Sequence, residues 1–152
     1  MQSFLPTLVL RHRRENLKKC TLRGLEGHPD FRFFTYPQSV LPDLRGYIVL
    51  ALDAPPLGPE DAHARLFIVD GTWRYAKAML KSIENQQGIL WRSLPAHFRT
   101  AYPRRQADCP DPDRGLASIE AIYLAYHILG WDVTGLLDNY HWKNQFLEIN
   151  GL

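Results

Sequence analysis

The chain is predicted to be an α/β protein built on a mostly parallel sheet. Three observations carry that prediction. Short apolar runs at 47–52 and 66–69 are near-continuous, as strands covered on both faces require. They alternate with segments of helical period, at 73–84 and 118–130. The composition is that of an ordinary globular chain: 152 residues, 45% apolar and 22% charged, enough for one domain or one domain with a small appendage.

In chain order, Thr7–Leu10 reads as a first short strand and the Phe-rich Arg32–Tyr36 as a second. Tyr47–Leu52 (YIVLAL) is the third, and Leu66–Val69 the fourth. Between them, Pro55, Pro56, Gly58 and Pro59 make 53–61 a loop. Asp70 ends the fourth strand, and Thr72 is placed to cap a helix over Trp73–Glu84. Trp73, Ala76, Leu80 and Ile83 form the inner stripe of that helix, and Arg74, Lys77 and Lys81 its outer stripe. Gln87–Leu90 leads into a further short strand, and 99–116 reads as a long proline-rich loop. Ser118–Gly130 is apolar nearly all round, a buried helix with Gly130 at its C-terminus. Thr134–Asn150 is expected to be a last, aromatic amphipathic helix. Ligands of such sheets sit at the carboxyl ends of strands. That directs attention to the loops after Leu52, Val69 and Leu94, and to 99–118.

Charge divides the chain. Residues 1–45 hold eight Lys or Arg against four acids, a net of +4, whereas the remainder is −2. We therefore expect a basic N-terminal subdomain, 1–45, facing a polyanion, and a second unit, 46–152. The two cysteines, Cys20 and Cys109, form no CxxC, which excludes a disulfide framework or cysteine zinc site. No apolar run approaches a membrane span. In the opening MQSFLPTLVLRHRRE the basic residues follow the apolar ones, the reverse of a secretory leader. A soluble, cytoplasmic protein is expected. There is no P-loop, no GxGxxG, no GxSxG and no HExxH. The six His are scattered, so no metal is expected.

Four constellations carry chemical information. In LFIVDGTW (66–73) a buried strand delivers a carboxylate, a glycine, a hydroxyl and a large aromatic directly onto a helix N-terminus. Such an end can hold a carboxylate, and a Trp face can support a sulfonium. A capped helix with Trp73 in the core has the same pattern. In GLASIEA (115–121) small residues permit close backbone approach to a flat ligand, and Glu120 falls in the first helical turn. KKCTLR (18–23) suits phosphate contacts, or a plain turn. The segment 136–150 is mostly core by its aromatic pattern.

In this order the segments resemble the ribosome-biogenesis aminocarboxypropyltransferases of small-subunit rRNA, SPOUT-like enzymes related to the DTW-domain transferases of tRNA. KKCTLRGL (18–25) resembles the family's KKCTxxxL, and YIVLAL stands in place of its VVLSP strand. VDGTW (69–73) resembles its VDCSW, Ser93-Leu94-Pro95 its RxLP, and GLASIEA its KLSxVEA. LLDNYHW, Phe146 and Asn150 resemble its C-terminal LLxxFxWGxxFxxxN. The chain departs from the family at Leu52 (a Pro there), at Gly71 (a Cys there) and at 101–114, where the family has ANPVNYG and about five fewer residues.

The resemblance implies a C-terminal trefoil knot, S-adenosylmethionine (SAM) as cofactor, and transfer of its 3-amino-3-carboxypropyl group to a uridine or pseudouridine, releasing methylthioadenosine. It implies that Thr21 contacts the ribose, and that Leu50, Leu52, Leu94, Leu116 and Ser118 line the adenine and ribose pocket. Trp73 would pack on the aminocarboxypropyl chain, and Thr72 would hold its carboxylate. Asp70 would orient the amino group or accept the acceptor's proton. Arg11, Arg13, Arg14, Lys18, Lys19 and Arg23 would engage RNA phosphates, with Arg74, Lys77, Arg104 and Arg105 as a second patch. The partner would be small-subunit rRNA or a pre-ribosomal subunit, met by a monomer. The rival readings are a DTW-type tRNA transferase, which the literal Asp70-x-Thr72-Trp73 favours, a SPOUT methyltransferase, and a non-catalytic RNA-binding assembly factor.

Overall fold

The computed structural model describes residues 6–14, 20–37, 40–71, 73–103 and 116–152. The strands β1 (Thr7–His12), β2 (Phe31–Tyr36), β3 (Tyr47–Leu50), β4 (Arg65–Asp70) and β5 (Leu90–Arg92) form one sheet in the order β2-β1-β4-β3-β5. All four pairings are parallel. Three helices are added: α1 (Trp73–Ile83), α2 (Ser118–Leu129) and α3 (Lys143–Ile149).

A parallel sheet needs cover on both faces, and alternation along the strands divides the side chains between two layers. Leu8, Leu10, Val49 and Phe67 pack with Met79 and Ile83 of α1. Val9, Ile48, Leu66 and Ile68 pack on the other face with Ile119, Ile122 and Ala125 of α2 and with Phe146 of α3. The same alternation carries Arg11 and Asp70 onto the α2 face, two residues beyond Val9 and Ile68. They are register partners across β1 and β4. This pairing positions the site.

The structure extends the first strand to His12, because β2 and β4 pair with it on both sides. β5 lies at 90–92, where the 87–90 segment leads into it, after a turn at Gly88 (φ +82°) whose carbonyl accepts from the Gly46 N–H. α2 ends as expected: Gly130 is left-handed (φ +74°), and the Trp131 N–H returns to the Tyr126 carbonyl.

The last helix is a correction. Only Lys143–Ile149 is helical. Residues 134–142 form turns whose N–H groups reach back three residues, as from Leu136 to Val133 and Tyr140 to Leu137. Gly135 has φ +78°, which no helix accommodates. Leu136, Leu137 and Tyr140 are nonetheless buried, so the apolar pattern marked the core correctly and its conformation wrongly. The boundary expected at 45/46 falls within a shared architecture: β1 and β2 belong to the same sheet as β3, β4 and β5. Among the described residues no helix is long and apolar enough to cross a membrane.

Candidate functional site

The strands β3, β4 and β5 end together at one edge of the sheet, and a cleft of about 290 Å³ opens there. Its floor is the last residues of β3 and β4. One wall is Ser93–Ala96 after β5, and the others are Ala76 and Leu80 of α1 and Leu116, Ser118 and Ala121 at the start of α2. Among the described residues the lining carries no charge, and its polar side chains are Ser93 and Ser118. The volume lies at the lower end of the range for small-molecule sites.

Five residues expected at the cofactor, Leu50, Leu52, Leu94, Leu116 and Ser118, come together in this cleft. They derive from three separate segments: the end of β3, the stretch after β5 and the start of α2. Leu52 is 80% exposed at its mouth. The loop carrying it is tied to β5: Ala51 N–H donates to the Arg92 carbonyl and Ser93 Oγ to the Ala54 carbonyl, each at 2.8 Å. Arg92 Nε holds the buried Asp61 at 3.1 Å on the far side of the same loop. Thr72, Lys18, Lys19, Arg104 and Arg105 lie outside the described residues. Trp73 begins α1.

Asp70 occupies a different place from the one expected. It is 3% exposed and is not among the described residues lining the cleft. Its Oδ2 accepts from Arg11 Nε and from the Cys20 thiol, both at 3.1 Å, and its Oδ1 accepts from Ser118 Oγ at 2.7 Å. Both oxygens are engaged by these donors, so the carboxylate organises its neighbours. Arg11 is likewise corrected. Expected on the RNA-facing surface, its side chain is 11% exposed and is shared between Asp70 and Glu26 (3.2 Å), over the Phe33 ring. Alternation along β1 explains this, since Arg11 follows Val9 onto the α2 face.

Burial, followed by the neighbouring Asp70 charge, pushes the Cys20 thiol up to about 12, so the thiol keeps its proton and donates it. Burial works against the charge on Glu26. Hydrogen bonds from its own and the Gly24 N–H and from Arg11 overcome that and hold its carboxyl below the usual range. Thr21 stands beside α2, where its Oγ1 accepts from the Ile119 N–H at 3.2 Å. It is not among the described lining residues.

A second buried carboxylate fixes the start of α2, which forms one wall of the cleft. Glu120 is fully buried and accepts from four donors. Its Oε1 takes Thr100 Oγ1 (2.5 Å) and the Ala117 N–H (2.8 Å). Its Oε2 takes the Ala101 N–H (2.8 Å) and the Tyr140 hydroxyl (3.0 Å). Asn150 clamps the same loop by pairing both backbone groups of Arg99. Sequence reasoning placed Glu120 in the first turn of α2 but not its three distant partners, which lie 19 or 20 residues away.

On the opposite face of the sheet, Gly71 separates the cleft from an aromatic group that sequence reasoning missed. The buried His12 stacks on Tyr75 with ring centroids 3.8 Å apart and lies 5.6 Å from Tyr36. Burial, then Arg13 and Arg14, holds the imidazole below its ordinary pKa. A Cβ on Gly71 would lie 2.8 Å from the flexible tip of Met79 and 3.4 Å from the Cβ atoms of His12 and Tyr75. The period-2 pattern of β1 and the start of α1 was the available signal. Arg13, Arg14, Arg23, Arg74 and Lys77 are exposed. Among the described residues no cluster of three metal-ligating side chains occurs.

No protein-family model matches the chain, and no curated protein matches it by sequence. A solved structure, the SAM-dependent rRNA:acp-transferase Tsr3 from Vulcanisaeta distributa, is similar over 97% of this chain and 79% of that one, with 22% identity. The TM-score is 0.70. This chain therefore shares the fold of that transferase.

Proposed function

We propose that this protein is a SAM-dependent transferase that moves the 3-amino-3-carboxypropyl group to a uridine or pseudouridine of small-subunit rRNA during ribosome biogenesis. One observation carries the reading: the five cleft residues that the family resemblance assigns to the cofactor line a single cavity at the carboxyl edge of the sheet. The Tsr3 fold supports it. The reading includes a monomeric, cytoplasmic enzyme and a trefoil knot within residues 46–152.

The cavity fits the proposed cofactor by its chemistry. Its apolar walls suit an adenine and a thioether chain, and Ser93 and Ser118 suit ribose or amino-acid polar groups. An uncharged, mostly apolar cleft also suits a sulfonium whose reactivity must be kept for one nucleophile. Bound there, SAM would supply an activated sulfonium: transfer would join the acceptor nitrogen to the γ-carbon, break that carbon's bond to sulfur, release methylthioadenosine and free the nitrogen's proton. The chain's part is positioning. The 93–96 wall and the start of α2 hold the nucleoside end, and the β4–α1 junction, with Thr72 and Trp73, holds the amino-acid end. Which carbon faces the acceptor decides the product. Arg13, Arg14, Arg23, Arg74 and Lys77, with Lys18, Lys19, Arg104 and Arg105, would attract RNA phosphates.

Calorimetric titration of the purified protein with SAM, followed by mass spectrometry of the small-molecule product after adding small-subunit rRNA, tests this. Micromolar binding and methylthioadenosine are expected. S-adenosylhomocysteine would make the protein a methyltransferase, modification confined to tRNA would make it a DTW-type enzyme, and no SAM binding would leave an RNA-binding assembly factor. Trp73→Ala is expected to weaken SAM binding by about tenfold or more.

A further inference from the structure

Ser118 is the one cleft-lining residue tied by its side chain to the buried Asp70, and the direction of that hydrogen bond has a consequence for the ligand. A serine hydroxyl has one proton and two lone pairs. Asp70 accepts Arg11 Nε and the Cys20 thiol on Oδ2, so Oδ1 is left to accept from Ser118. The Ser118 proton is thereby committed inward, and only acceptor lone pairs remain for the cleft. We infer that Ser118 receives a hydrogen-bond donor of the bound ligand, and that Arg11 and Cys20 are positioning residues that set this polarity through Asp70. The inference rests on the proposed SAM site. It adds that the group met by Ser118 is a donor, either a ribose hydroxyl or the amino-acid ammonium, and never the carboxylate.

The arrangement offers an isosteric way to reverse the polarity. In Asp70→Asn, Arg11 and Cys20 still donate to one position, so the amide oxygen must take it. The amide NH2 then faces Ser118, whose oxygen must accept. Its proton is forced into the cleft, where it meets the ligand's donor. No atom need move.

The experiment is calorimetric titration of the full-length protein with SAM and, separately, with methylthioadenosine, which keeps the ribose and lacks the amino acid. Ser118→Ala and Asp70→Asn are each expected to weaken SAM binding by about tenfold, the loss of one hydrogen bond in a mostly apolar cleft. In the Ser118→Ala background, Asp70→Asn is expected to have little further effect, because no hydroxyl is left to reverse. A general loss of structure at Asp70 would instead persist in that background. Loss toward both ligands assigns the donor to the ribose, and loss toward SAM alone assigns it to the ammonium. If Asp70→Asn does not fold, the Ser118 pair carries the test: Thr keeps the affinity and Ala loses it. Wild-type affinity in Asp70→Asn or in Ser118→Ala overturns the inference, whereas failure of the wild type to bind SAM overturns the proposed function itself.

Discussion

At the level of single residues, two buried carboxylates do opposite work from what their positions in the sequence suggest. Asp70, at a strand end beside a glycine and a hydroxyl, has the local look of a reacting group, yet three donors from distant segments enclose it. Glu120, in a pattern that reads as a helix cap, proves to be the hub that joins α2 to residues 100–101 and to Tyr140. Its environment predicts a particular failure. Each oxygen faces one backbone N–H, from Ala117 or Ala101, and neither of those donors can be reversed. In Glu120→Gln the amide NH2 must confront one of them in either orientation. The expected loss is about 2–4 kcal/mol of unfolding free energy, the penalty of a buried unpaired donor together with weakened neighbours. Chemical denaturation measures it. A loss below about 1 kcal/mol would mean that Glu120 is not the hub described.

At the level of elements, apolar continuity found the third and fourth strands and α2, because burial on two faces leaves a local trace, and the two-stripe helical period found α1. The first strand was legible only to Leu10, since Arg11 and His12 are polar in sequence and become strand residues through pairing with β2 and β4. The last helix was overextended because one aromatic pattern serves a helix or a series of turns, and Gly135 decided for turns. The cleft-lining leucines were legible through family motifs. The Arg11–Asp70 pair, 59 residues apart, was not, because nothing in either local pattern names its partner. The basic residues divide in the same way. Arg11 is withdrawn by strand alternation, while Arg13 and Arg14, in the turn just after β1, are exposed. If that turn meets RNA, replacing both with Ala lowers the slope of log affinity against log salt by roughly 1.5. SAM affinity should stay unchanged. Filter binding across a salt series reads the slope, and an unaltered slope would move the RNA to another face.

For the whole molecule, the order β2-β1-β4-β3-β5 matters more than any motif. It sets the N-terminal strand between β2 and β4, so the basic first third of the chain supplies Arg11 and Cys20 to the buried Asp70 behind Ser118. Cys20 of that third, and Tyr126 of α2 bonded to it through Thr7, also carry protons that the folded state protects. Burial pushes the Cys20 thiol from an ordinary 9.0 up to about 12. Burial likewise pushes the Tyr126 hydroxyl, which bonds Thr7 at the start of β1, from 10.0 up to about 12. Both groups are neutral when protonated, and both bind the proton more tightly folded than unfolded. Between pH 9 and pH 12 the unfolded chain therefore gives up protons that the folded chain retains, and stability falls as pH rises. Well below pH 8 both states are protonated and these groups contribute no slope. Thermal melts at pH 7, 8, 9, 10 and 11 should show a melting temperature that is level at pH 7 and declines progressively from about pH 8 upward. Cys20→Ser with Tyr126→Phe keeps a donor for Asp70 and the ring in the core while removing both titrations, so the decline should become shallower. An equally steep decline in the double variant would place the alkaline weakness in other groups and break the link between this sheet order and the molecule's pH limit.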